Sequence, residues 1–245
     1  MRGRALFGIA VALGTVAAWV ATIHVPTFSR IFAAFLLVPL PVFMRWQTRA
    51  GGDAVEQLPR TGLYLSSALL LWLLGALTAG CVIADHLRAT QLGLTTSHPA
   101  AIAAWTVGTY AAGVTVLVLG RVLGIAESPL LRHLIPVRAV EKVAFTSLAL
   151  TAGFAEELVF RGFLLWALTL ASGSMTVAVV LSSVVFGILH AYQDAGGAAR
   201  AAILGAVLAA PVVATGSVIP AMVAHAAIDM TSGLILAKWL LGGRR

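Results

Sequence analysis

Charge is what this chain has least of. Only 10% of its 245 residues are charged, whereas an ordinary soluble domain carries about a quarter, and 60% are hydrophobic. Cysteine is almost missing as well. The single one, Cys81, lies inside an apolar run, which excludes an internal disulfide and any cysteine-built metal cluster. Internal repeats, low-complexity tracts and polar stretches long enough for a soluble domain are also absent. The basic excess, 16 Lys and Arg against 9 Asp and Glu, sits in short gaps between apolar runs and forms no patch interleaved with aromatics. That distribution does not describe a nucleic-acid binder. The composition is that of an integral membrane protein.

What is present in quantity is long apolar sequence. Runs of about 20 residues match the helical length that crosses a hydrocarbon layer of roughly 30 Å. Eight such spans are expected, near Ala5–Ile23, Ile31–Met44, Leu63–Ala84, Ala101–Gly120, Val143–Ala171, Ser174–His190, Ala201–Thr215 and Val218–Leu241. The first is read as a retained span because it is long and no small-residue cleavage site follows it. The second is short and contains Pro39 and Pro41, so a kink or partial insertion is expected there. The fold class is therefore all-α, a polytopic membrane bundle. Residues 1–142 form an N-terminal region of four spans and residues 143–245 a core of four.

The basic residues orient the bundle. With the N-terminus in the cytoplasm, Arg2, Arg4, Arg45, Arg49, Arg60, Arg121, Arg132, Arg138, Lys142, Arg200, Lys238, Arg244 and Arg245 fall on or near the inner side, and only Arg30 and Arg88 fall outside. This is the positive-inside pattern, and it places both termini in the cytoplasm. The polar connection from Arg121 to Lys142 is expected to carry an interfacial helix.

Against this background, TAGFAEELVFRGFLL (Thr151 to Leu165) places Glu156, Glu157 and Arg161 inside a span. Glu157 and Arg161 stand four apart on one helical face, so they can neutralise one another. Glu156 points about 100° away. A carboxylate held in a low-dielectric site without a cation is the kind of group that serves as a general base near neutral pH. The next span ends in Phe186 and His190, again four apart, and the last carries His225 and Asp229 at the same spacing. The second pair can be a structural hydrogen bond, a carboxylate orienting an imidazole, or two ligands of one metal. Burying each charge singly would cost about 2.5–3.5 kcal/mol at a span centre. A shared polar cavity is the less costly arrangement.

The ordered set E-E-x-x-x-R, F-x-x-x-H and H-x-x-x-D on successive spans resembles the CAAX prenyl protease 2 family, also called the CPBP family, over roughly Val143 to Leu241. Its members are intramembrane endopeptidases and bacteriocin-processing or immunity relatives. The resemblance implies that Glu156 and His190 activate a water for attack on a peptide carbonyl. His225 and Asp229 would lie opposite, holding the oxyanion or orienting its donors, while Glu157 and Arg161 brace the first helix. Phe186 supports the motif structurally. The eukaryotic enzymes carry Asn where this chain has Asp229. An ionised carboxylate cannot donate to an oxyanion, so Asp229 is expected to fix the tautomer of His225.

On this reading no cofactor is required. The alternative is zinc, held by Glu156, His190, His225 and Asp229. The expected partners are the lipid bilayer and a membrane-associated peptide or protein substrate, in a bacterial plasma membrane. A proton- or cation-coupled transporter and a non-catalytic immunity protein of the same fold are the rival readings. One geometric demand follows. Glu156 lies mid-span and His190 at the inner end of its span, so a cavity opening inward must bring them together.

Overall fold

The computed structural model describes residues 2–55, 57–96, 98–125 and 128–241. Met1, Arg244 and Arg245, on which the placement of both ends partly rests, lie outside them. Every regular element among the described residues is helical. Helix α1 (Arg2–Ala21) leads into α2 (Thr27–Leu37) and α3 (Pro39–Val55), followed by α4 (Arg60–Ala84) and α5 (Pro99–Val122). A short α6 (Pro129–His133) precedes α7 (Ala139–Glu157). A π-helical segment, Leu158–Leu164, joins α7 to α8 (Leu165–Ser172) without a break. Then come α9 (Met175–Leu189), α10 (Asp194–Thr215), α11 (Ile219–Met230), a second π-helical segment (Thr231–Ile235) and α12 (Ala237–Leu241).

Five helical stretches are long and apolar enough to cross a membrane: Thr27–Gln47, Arg60–Ala84, Pro99–Val122, Ala139–Ser172 and Ala191–Thr215. Three shorter apolar helices accompany them, Phe7–Ala21, Met175–Leu189 and Ile219–Ile235. Large apolar side chains such as Leu69, Leu73, Ile83 and Val107 point outward, as they do in a protein solvated by lipid. The chain is a polytopic helical membrane protein.

Several boundaries differ from the sequence expectation, each for a physical reason. The second span is longer than expected because α2 and α3 continue through Val38, where the backbone departs from helical geometry. Pro39 excludes the residue before it from the α region, which puts the bend there. The start of α10 comes at Asp194 rather than Ala201, because Arg200 is buried within the helix instead of marking its end. The last span breaks at Leu236, between the second π-helical segment and α12. The short helix expected between Arg121 and Lys142 is α6, capped by Ser128 Oγ accepting from the Leu131 amide at 3.1 Å.

The stretch Ala139–Ser172 is the central post of the bundle. It packs on α4 and α11 through α7, and on α9 through α8. Its start is fixed by Glu141, whose Oε2 accepts from the amides of Val137 (2.8 Å) and Arg138 (3.0 Å). These are donors that a helix N-terminus would otherwise leave unpaired. Small residues set how closely the neighbours approach. A Cβ on Gly153 would stand 2.6 Å from the Met222 carbonyl and 2.7 Å from Ala226 Cβ, so α7 and α11 cross in backbone contact. A Cβ on Gly187 would meet the Ala198 carbonyl at 2.7 Å and Ala202 Cβ at 2.8 Å, which brings α9 equally close to α10. In lipid, where apolar burial alone does not drive helices together, such contacts decide which faces meet.

Candidate active site

The Gly153–Ala226 crossing lies one turn from Glu157 on α7 and next to His225 on α11. That proximity builds the centre of the site. Glu157 Oε1 accepts two hydrogen bonds, from Arg161 Nη1 at 2.7 Å and from His225 Nδ1 at 2.7 Å. Both members of the ion pair are enclosed, with side-chain exposures of 0% for Glu157 and 1% for Arg161. Glu157 and Arg161 thus form the expected i, i+4 pair, and the same carboxylate also anchors an imidazole on another helix. Asp229 was expected to fix the tautomer of His225, and the hydrogen bond of its Nδ1 goes to Glu157. Asp229 instead lies on the far side of the ring, its Oδ2 3.6 Å from Nε2.

Because a carboxylate can only accept, His225 Nδ1 carries the proton in that bond. Its Nε2 is turned toward two further carboxylates, Asp229 and Glu156, the latter with Oε2 at 4.0 Å. Glu156 Oε2 is buried and has no hydrogen-bond partner. The Asp229 side chain is 37% exposed against 14% for Glu156.

Phe186 ties the third motif to the other two. Its ring lies under the Arg161 guanidinium, with Cζ 4.2 Å from the centroid. It meets the His190 ring at 4.4 Å and the His225 ring edge-on at 6.1 Å. His190 is the residue on which α9 ends, and its Nδ1 donates to the Phe186 carbonyl at 2.8 Å. Nε2 is therefore the free nitrogen of this ring too. The charges of His225 and Asp229 both act on it, so the end of α9 and the middle of α11 share one electrostatic site.

Two features of the site had no counterpart in the motif reading. Each π-helical segment directly follows a functional cluster: Leu158–Leu164 follows Glu157, and Thr231–Ile235 follows Asp229 and Met230. In the first, the Leu165 amide donates to Phe160 O five residues back, and Ser182 Oγ donates to the same carbonyl at 3.2 Å. In the second, the Leu236 amide reaches Thr231 O at 2.8 Å, and the Thr231 hydroxyl meets the Tyr110 hydroxyl of α5 at 3.0 Å. Such widened turns concentrate at functional sites, but no residue pattern in the sequence announces them. The other feature is Tyr192, two residues past His190, with its ring centroid 5.9 Å from that of His190.

Of the four side chains that could supply a zinc sphere, Glu156 and Asp229 both face His225 Nε2. Among the described residues, however, no three or more His, Cys, Asp or Glu side chains are arranged as a ligand set for a metal ion.

Residues 139–231 match the family model described as Rce1-like, type II CAAX prenyl endopeptidase. No curated protein and no solved structure matches the chain. The matched segment runs from the first turn of α7 to the start of the second π-helical segment, and it contains Glu156, Glu157, Arg161, Phe186, His190, His225 and Asp229. Over this core the chain is similar to the Rce1-like family of type II CAAX prenyl endopeptidases.

Proposed function

We propose that the protein is an intramembrane endopeptidase that hydrolyses a peptide bond of a membrane-associated peptide or protein by direct attack of water, without a metal. The observation that carries this reading is the opposition of Glu156 Oε2, buried and unpartnered, to His225 Nε2 across 4.0 Å. That separation is beyond direct hydrogen-bond length and within reach of one bridging polar group. In the proposed mechanism the scissile carbonyl enters there. The water lies on the Glu156 and His190 side and the carbonyl oxygen on the His225 side.

Glu156 takes a proton from the water as its oxygen bonds to the carbonyl carbon, and His190 Nε2 accepts a hydrogen bond from the same water. The carbonyl electron pair moves onto oxygen. His225, with Nδ1 donating to Glu157, can offer a hydrogen at Nε2 only as the imidazolium, and in that form it donates to the oxyanion. Asp229 stabilises the imidazolium from 3.6 Å. Collapse of the intermediate breaks the C–N bond, and the proton held by Glu156 passes to the leaving amine.

Taking both termini as cytoplasmic from the arginine distribution, the reading has the site open toward the cytoplasmic side of a bacterial plasma membrane. Purified protein in liposomes, given a quenched fluorescent farnesylated peptide ending in a CAAX sequence, tests the reading. Wild type should cleave it, and Glu156→Gln should not, while melting as wild type does. Chelators should leave the rate unchanged, and excess zinc should inhibit by occupying the carboxylates and imidazoles. Equal rates for Glu156→Gln and wild type refute the general base. Stoichiometric zinc lost together with activity on chelation refutes the metal-free step.

A further inference from the structure

Beyond the site along the central post lies a cavity of about 330 Å³, inside the roughly 300–1,000 Å³ range of small-molecule sites. One wall is residues 90–93 of the connection between α4 and α5. The rest of the lining is mainly apolar, with Leu165, Trp166 and Leu170 of the central post, Met175 of α9 and Val212 of α10. The wall made by the connection is built into the bundle. Leu92 is 1% exposed, and a Cβ on Gly162 would stand 3.1 Å from its carbonyl. The Gly93 carbonyl accepts from the Val218 amide at 2.9 Å, and Gln91 Oε1 accepts from the Arg88 amide at 2.7 Å.

The lining dictates the contents. A void of this size left empty would forfeit packing on the scale of a protein's whole stability. Water fills it poorly, because each buried molecule needs several polar partners and the Thr169 hydroxyl is already committed to the Leu165 carbonyl at 2.7 Å. No charge faces inward, since the side chain of Arg161, which contributes to the lining, is 1% exposed and held by Glu157. Two uncharged donors remain. Gln91 Nε2 and the Trp166 indole N–H both belong to lining residues and find no acceptor among the described residues. Leu170 and Met175, 43% and 38% exposed, give the cavity an apolar rim over which a hydrocarbon chain can enter from the bilayer. Arg161 meets the cavity on one side while its partner Glu157 holds His225 on the other, so the enclosed pair divides this cavity from the site.

We propose that the cavity is a lipid site, taking one hydrocarbon chain of a neutral membrane lipid whose ester or hydroxyl oxygens accept from Gln91 Nε2 and the Trp166 indole. The occupant packs against Gly162 and Leu165, and so braces the wide turn that presents Arg161 to Glu157. This assignment does not rest on the peptidase reading.

The test uses the full chain in phosphatidylcholine liposomes and 1-decanoylglycerol carrying a diazirine in its chain, with labelled positions read by peptide mass spectrometry. Labelling should saturate, concentrate on Leu165–Leu170 and Met175, and be competed by plain 1-decanoylglycerol. Decyl sulfate, the same chain with a charged head, should compete about tenfold less well, because the lining offers that head no cation. Thr169→Phe and Val212→Phe fill the cavity from two different walls, and each should lower the specific labelling by about tenfold. Labelling of Leu69 and Leu73, which face outward on α4, should be unchanged in both. Gln91→Glu keeps the acceptor for the Arg88 amide but removes the donor, and should weaken labelling as well. The plain lipid should raise the melting temperature of wild type and leave that of the filled variants where it is.

Labelling spread over α4 and α8 alike overturns the proposal, because the lipid is then only solvent. Filled variants that label as wild type does, or equal competition by decyl sulfate, overturn it too. Competition by the farnesylated peptide assigns the cavity to the chain of the substrate and overturns the lipid assignment. Loss of peptide cleavage with lipid labelling intact counts against the peptidase reading alone.

Discussion

Glu157→Gln should be the most damaging single change available in this protein, and the damage should be to the fold first. The carboxylate and the Arg161 guanidinium meet at 2.7 Å with side-chain exposures of 0% and 1%. The variant would leave that guanidinium enclosed, with the Phe186 face at 4.2 Å and an Nη2 that already has no partner. Removing one member of a buried ion pair costs about 3–5 kcal/mol. At roughly 2–4 °C per kcal/mol for a chain of this length, the melting temperature should drop by about 6–20 °C. Cys81 provides the assay, being the only cysteine and 7% exposed, so a thiol-reactive coumarin maleimide reports unfolding directly. Adding Arg161→Gln removes the stranded charge and should restore most of the lost stability. It should not restore turnover, because His225 Nδ1 would still lack its anionic acceptor. Glu157→Gln melting within about 2 °C of wild type, or a double variant no more stable than the single one, would refute the argument.

Gly153→Val should separate α7 from α11, since even a Cβ there would stand 2.6 Å from the Met222 carbonyl. Overpacking of this kind costs about 1–3 kcal/mol, and peptidase activity should fall further than the melting temperature implies, with partial recovery when Ala226→Gly is added. Asp194→Gly should relieve a strained φ of 66° that costs about 1–3 kcal/mol, raising the melting temperature while lowering kcat, because the turn carrying His190 and Tyr192 loosens; a lower melting temperature would contradict it. In a Cys81→Ser chain in intact cells, an impermeant maleimide should label a cysteine placed at His98 and spare one placed at Arg132. The reverse pattern overturns the proposed orientation.

How much of this could be read from the sequence depended on the range of the interaction. The Glu157–Arg161 pair was legible because four-residue spacing on a helix is a local rule, and the bond is present at 2.7 Å. The bond from His225 to Glu157 was not legible, because it spans 68 residues and exists only where Gly153 lets α11 come close. Local spacing pointed to Asp229 as the acceptor, but an i, i+4 pair on a helix need not bond when a carboxylate on a neighbouring helix is better aligned. The central helix and its neighbours were legible from hydropathy, whereas the start of α10 was hidden by Arg200, a charge that the fold buries. Tyr192 carried a faint signal, a phenol two residues past a motif histidine, which gains meaning only once the turn places it beside the histidine ring.

The π-helical segment in the central post has a consequence for how the two ends of that helix can vary. A residue inserted into an α-helix turns everything beyond it by about 100°, so the wide turn at Leu158–Leu164 works as a phase offset between α7 and α8. The azimuth of α7 is keyed to α4 and α11, and it aims the acidic pair. The azimuth of α8 is keyed to α9. Decoupled in this way, the outer half of the helix can exchange its packing partners residue by residue without rotating Glu156 and Glu157 away from His225.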